Sequence, residues 1–138
     1  MDLCCLRVAV RCQRSVFVTF RQIDYFYKKI VMTGQERHIF ELITQRIKEL
    51  DPKADIILYG SHARGQANKD SDWDILIRLD TDSVTLKTEQ KFRHHLLDTE
   101  LQIGEPISVF VRSKSAWETK YRITPFYNSI KREGVRLP

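Results

Sequence analysis

The chain is 138 residues long, 42% hydrophobic and 30% charged, with a formal net charge of +5. That length fits one domain with a real core and leaves no room for separate catalytic and substrate-grasping domains. No apolar run approaches the ~20 residues that span a bilayer, so a membrane role is not expected.

The charge is uneven. Residues 1–31 carry six basic side chains (Arg7, Arg11, Arg14, Arg21, Lys28, Lys29) against Asp2 and Asp24, leaving 17 basic against 16 acidic in the remainder. Cys4, Cys5 and Cys12 fall in the same segment. Their spacing matches neither a zinc site nor an even disulfide set, and a cysteine-free remainder suits a reducing cytoplasm. Residues 1–31 are read as a basic extension, with an arm touching nucleic acid or membrane as the alternative. No apolar stretch followed by a small-residue cleavage site marks a secretion signal. The domain is expected over 32–138. Its net charge of only +1 argues against binding long nucleic acid, which requires neutralising several phosphates.

In chain order, Thr33-Gly34-Gln35-Glu36 predicts a capping box. Ile39, Phe40, Ile43, Ile47 and Leu50 then follow at helical spacing, and Asp51-Pro52 stops the helix. Asp55–Tyr59 and Trp73–Leu79 read as strands, separated by a polar loop containing Gly60 and Gly65. Residues 85–102 predict a second helix with Leu86, Phe92, Leu96, Leu97 and Leu101 to bury, ended by Gly104-Glu105-Pro106. ISVFVR (Ile107–Arg112) reads as a third strand, and a helix carrying Trp117 and Tyr121 starts near Ser113 or Ser115. The last helix has Thr124 as cap and Pro125 at its first position, and ends at Gly134. The order α-β-β-α-β-α-α predicts an α+β domain with a small mixed or antiparallel sheet covered by helices.

The chemistry concentrates in GSHARGQANKDSDWD, residues 60–74. Residues i and i+2 of an extended strand project to one side, so Asp72 and Asp74 point together. Adjacent carboxylates repel unless a cation lies between them, and a hard divalent ion such as Mg²⁺ or Mn²⁺ takes carboxylate oxygens while leaving positions for phosphate and water. Gly60-Ser61 supplies the complementary half. A glycine turn lets backbone amides close on a phosphate, the Ser61 hydroxyl can donate, and Arg64 can reach a phosphate with a two-pronged donor. Turn-capping by Ser and Asp is the bland alternative. It loses ground because both halves occur at the ends of apolar runs, in this order.

GSHARG…SDWDILI resembles the signature of the DNA polymerase β-like nucleotidyltransferase superfamily, and within it the minimal nucleotidyltransferases. The resemblance implies a nucleotidyltransferase fold and Mg²⁺-dependent transfer of a nucleoside monophosphate, AMP from ATP, to a protein or small-molecule acceptor. By position it assigns triphosphate binding to Gly60 and Ser61 and metal binding to Asp72 and Asp74. It also implies a small helical HEPN-type partner, in some members modified by the transferase acting as antitoxin. The family places a third carboxylate on a later strand, where this chain has Ser108. A serine can neither supply that charge nor accept a proton near neutral pH. Glu105, at the strand mouth, is the candidate substitute base, with a solvated loop acid as the alternative. An impaired, nucleotide-binding partner module is therefore the second functional reading.

Overall fold

The computed structural model describes residues 32–136, so expectations about residues 1–31 lie outside the described residues. The first helix, α1 (Gly34–Leu50), begins with the expected capping box: the Thr33 amide donates to Glu36 Oε2 at 2.8 Å, and the Glu36 amide donates to Thr33 Oγ1 at 3.2 Å. Its stripe of Ile39, Phe40, Ile43 and Ile47 is buried, which is what holds so amphipathic a helix to the sheet.

Strand β1 (Asp55–Tyr59) leads into one helical turn, α2 (Gly60–Ala63), and the chain returns as β2 (Trp73–Leu79). Helix α3 (Leu86–Ile103), capped by Thr85, crosses over to β3 (Ile107–Ser113). The Ser113 hydroxyl then caps α4 (Lys114–Thr119), and Thr124 caps α5 (Pro125–Glu133), with Pro125 in its first turn. A two-residue strand, β4 (Val135–Arg136), closes the described chain. The sheet order is β3-β2-β1-β4, with β2–β3 parallel and the other pairs antiparallel. This is the expected mixed sheet, with α2 and β4 added.

Strand alternation divides the molecule into layers. Trp73, Ile75 and Ile77 of β2 join Ile56 and Leu58 of β1 and Val109 and Val111 of β3 against α1 and α3. The opposite face turns Ile57 and Leu76 toward Trp117, Tyr127 and Ile130 of α4 and α5. The aromatic residues of the C-terminal helices are thus packing residues. Trp117 stacks on Tyr121 with ring centroids 5.5 Å apart, and meets Phe126 edge-on at 5.9 Å.

One expectation is corrected here. Leu86, Leu97 and Leu101 are exposed, at 72%, 49% and 75%. Helix α3 seats its Phe92–Leu96–Thr99 stripe instead, and a helix can bury only one such stripe against a single layer. Gly134 ends α5 as expected, with a φ of −62°. Space requires the glycine there: a Cβ would meet the Ile130 carbonyl oxygen at 2.5 Å and Ile57 Cγ2 at 2.7 Å.

Candidate active site

The second sheet face is covered by α4 and α5 except at one end, where three side chains form a row. Tyr59 of β1 pairs with Asp74 of β2, which pairs with Ser108 of β3. All three are partly exposed. Asp72 precedes β2 on the same side, and its Oδ2 accepts from Ser108 Oγ at 3.4 Å. The hydroxyl therefore stands beside the carboxylate pair, on the neighbouring parallel strand. This is the position to which the resemblance assigns the third acid.

Gly60 meets Asp74 at the start of α2. Its φ is +73°, and a Cβ there would overlap Asp74 Oδ2 and lie 3.0 Å from Asp74 Cγ. The glycine turn and the second carboxylate are thus packed in direct apposition. Tyr59, the residue before the turn, offers no side-chain cap to α2, so the first amides of the turn lack the partner that a cap provides. Ser61 lies within that turn. The loop behind it is tied by backbone bonds, Arg64 N–H to Gly60 O at 3.2 Å and Gln66 N–H to Ser61 O at 2.9 Å. Asn68 braces the approach to Asp72: its amide donates to Ser71 Oγ at 2.8 Å, and its side chain accepts from the Asp70 amide at 2.9 Å.

The electrostatics are those of a cation site. Burial and then the neighbouring Asp72 charge push the Asp74 carboxyl above its ordinary value, and these outweigh the opposing pull of His62 and Arg64. The nearby positive groups do not balance the pair. The same burial, reinforced by Asp74, pushes the Tyr59 phenol up to about 12. A hard divalent ion fits this donor set. Among the described residues no three His, Cys, Asp or Glu side chains form a metal-ligating group, so two carboxylates would hold the ion and its remaining positions would go to phosphate and water.

Arg64 lies by the turn. Its Nη1 donates to Glu133 Oε2 of α5 at 3.2 Å, and its Nε donates to Gln66 Oε1 at 3.2 Å. Arg132 first, and then Arg64, hold the Glu133 carboxyl below its ordinary value. Glu105 is elsewhere. Its Oε2 accepts the Trp73 indole N–H at 2.6 Å, and Trp73 is turned toward α1, away from Asp72 and Asp74. The structure therefore brings Gly60, Ser61, Arg64, Asp72 and Asp74 together, and sets Glu105 on the other side of β2.

His62, given no role from sequence, is buried at 5% exposure and stacks on Trp73 with centroids 3.9 Å apart. Its burial between Trp73 and α1 had no sequence signal beyond its place inside the turn. Tyr59 was likewise legible only as the end of a strand.

The nucleotidyltransferase-domain family matches residues 41–135, more than half of the chain. Among solved structures, a crystal structure of a mutant of the toxin–antitoxin MntA–HpeT is similar, with a TM-score of 0.48 and 17% identity, covering 71% of this chain and 70% of that one. No curated protein matches the chain. No helix among the described residues is long and apolar enough to cross a membrane. With its signature turn, carboxylate pair and mixed sheet, the chain belongs to the nucleotidyltransferase-domain family.

Proposed function

We propose that this nucleotidyltransferase takes an NTP, ATP in the first instance, with Mg²⁺, and transfers the nucleoside monophosphate to a hydroxyl of a protein or small-molecule acceptor. The reading rests on one observation above the rest. The Gly60 backbone abuts the Asp74 carboxylate, so an anion on the turn and a cation on Asp72 and Asp74 would be immediate neighbours.

In this reading the open amides of the turn and the Ser61 hydroxyl hold the β- and γ-phosphates. Arg64, exchanging Glu133 for a phosphate oxygen, adds a charged donor. Asp72 and Asp74 would hold the Mg²⁺, whose chemistry there would be to polarise the phosphoryl oxygens and neutralise developing charge. The acceptor oxygen forms a bond to the α-phosphorus, the bond to the bridging oxygen breaks, and pyrophosphate leaves. Because Glu105 is engaged by Trp73, the acceptor's proton is better assigned to a base carried by the acceptor itself. The acceptor is proposed to be a small helical HEPN-type partner, with this chain as antitoxin, and the domain to span 32–138 with residues 1–31 as an extension.

Ser108 favours a second reading, a nucleotide-binding module that works by complex formation. Its hydroxyl occupies the third acid's place and adds no charge there. Incubation with α-labelled ATP and Mg²⁺, alone and with the co-expressed partner, separates the two. Label on an acceptor that Asp72→Asn abolishes supports transfer. Saturable ATP binding with no labelled product and no pyrophosphate supports the module.

A further inference from the structure

Behind the signature turn, on the side of β2 away from the carboxylate pair, lies a cavity of about 440 Å³. Neither Asp72 nor Asp74 lines it. Its polar wall is Glu36 and Thr33 at the start of α1, His62 of α2, Asn68 and Lys69 of the following loop, and Glu105. This volume is within the range of ordinary ligand pockets, roughly 300–1,000 Å³. We propose that it is a binding site for an organic cation, specifically a guanidinium group.

The first observation is an unpartnered buried imidazole. His62 is 5% exposed, it lines the cavity, and neither ring nitrogen has a hydrogen-bond partner. Its Nδ1 approaches Glu36 Oε1 at 3.5 Å, which is ion-pair range without hydrogen-bond geometry. Buried polar atoms are ordinarily satisfied, and an orphan facing a cavity points to something that enters it.

The second observation is the sign of the wall. Two carboxylates face one lysine. Glu36 spends Oε2 on the Thr33 amide and hydroxyl, and Glu105 spends Oε2 on the Trp73 indole, at 2.6 Å. Glu105 keeps its second oxygen for a donor, and Glu36 turns its Oε1 toward His62 at the same wall. The positive end of α1 is already answered by the capping box, so it does not recruit an anion. A bare metal ion is disfavoured as well, since no three ligating groups converge among the described residues. Acceptors spread over a wall suit a planar fork of N–H donors, which can reach two carboxylates and a ring nitrogen together. Trp73, stacked on His62 and bonded to Glu105, lies directly behind this wall.

The guanidinium could belong to a free small molecule or to an arginine side chain of a polypeptide. The test uses the full chain without nucleotide, so it succeeds or fails separately from nucleotidyl transfer. The chain has two tryptophans, and the indole N–H signals of Trp73 and Trp117 are followed by ¹H–¹⁵N correlation spectra. The added probes are N-acetyl-arginine amide, its neutral citrulline isostere, an arginine-containing pentapeptide and inorganic phosphate. The expected result is a saturable shift of the Trp73 signal, with Trp117 still, at millimolar arginine amide and none with citrulline. Tighter binding of the pentapeptide than of the amide assigns a polypeptide source, and equal binding a small molecule. Glu105→Gln keeps an acceptor for the indole but removes the charge, and should weaken binding about tenfold. His62→Phe, which keeps the stack, should do the same, and Glu105→Gln decides alone if that variant does not fold. The proposal is overturned if citrulline shifts Trp73 equally, if phosphate binds and arginine does not, or if no arginine probe moves the signal.

Discussion

Gly60 and Asp74 touch in a way no other residue at position 60 would permit: a Cβ there would overlap the Asp74 carboxylate, on a backbone with φ of +73°. One atom's absence thus joins the glycine turn to the carboxylate pair, the two halves of the proposed site. Gly60→Ala should cost at least ~1 kcal/mol from the left-handed backbone alone and push Asp74 out of place. Thermal unfolding should show the loss of stability. Transfer from α-labelled ATP should fall far more than the melting shift explains. Wild-type activity in this variant would refute the apposition.

The carboxylate pair makes a prediction for the metal-free protein. Asp74 has a folded-state pKa above its unfolded value of 3.8, so the folded state holds its proton more tightly. Its contribution favours folding when protonated. Stability from this group therefore declines as pH rises from the ordinary carboxylate value through the raised one. Asp72→Asn should lessen that decline without removing it, because burial is the larger cause, and should raise the metal-free melting temperature at neutral pH while abolishing transfer. Mg²⁺ should raise the wild-type melting temperature and leave the variant's unchanged.

Tyr59 reports on the same charge. With its pKa pushed up to about 12, Tyr59 should ionise late in a spectrophotometric alkaline titration, and Tyr59→Phe separates its step from that of Tyr127, whose phenol the hydrogen bond to Glu118 also pushes up. Asp74→Asn should bring that step closer to 10, but not fully, because burial is the larger cause. A Tyr59 step unmoved by Asp74→Asn would show that burial acts alone.

Ser108 tests whether a missing charge limits catalysis. Ser108→Asp places a third carboxylate beside Asp72 and Asp74. If transfer is limited there, the rate should rise about 10²-fold, the usual contribution of a positioned base. Ser108→Ala should change it little. A labelled acceptor formed equally by all three would place the base elsewhere.

Arg78 concerns stability. It is buried, is bonded to Asp55, and donates to Glu118 Oε1 at 2.9 Å, while Glu118 also accepts from the Tyr127 hydroxyl at 2.7 Å. Arg78→Met removes the main counter-ion of Asp55, which keeps only the more distant Arg136 at 3.7 Å, and one partner of the half-exposed Glu118. Removing one partner of a buried pair costs about 3–5 kcal/mol, and the partial exposure of Asp55 and Glu118 places this case at the low end. Chemical denaturation should give roughly 3 kcal/mol with an unchanged slope.

Much of this protein is legible along the chain because its signals are local. Capping boxes and proline starts act within one turn, and strand alternation acts within a few residues. So Thr33, Thr124 and Pro125 announced their elements directly, and the spacing of Asp72 and Asp74 announced their placement on one side. Other features depend on which stripe a neighbouring layer accepts. The choice of Phe92, Leu96 and Thr99 over Leu86, Leu97 and Leu101 was settled by the single face α3 presents to the layer beneath it. The placement of Ser108 opposite Asp74 came from the parallel register of β2 and β3, set by a crossover that local sequence does not encode. The capture of Glu105 by Trp73 and the orphaned burial of His62 likewise arise where distant segments meet. Chemistry carried by adjacent residues was readable in order. Chemistry created by long-range packing existed only once the sheet had closed.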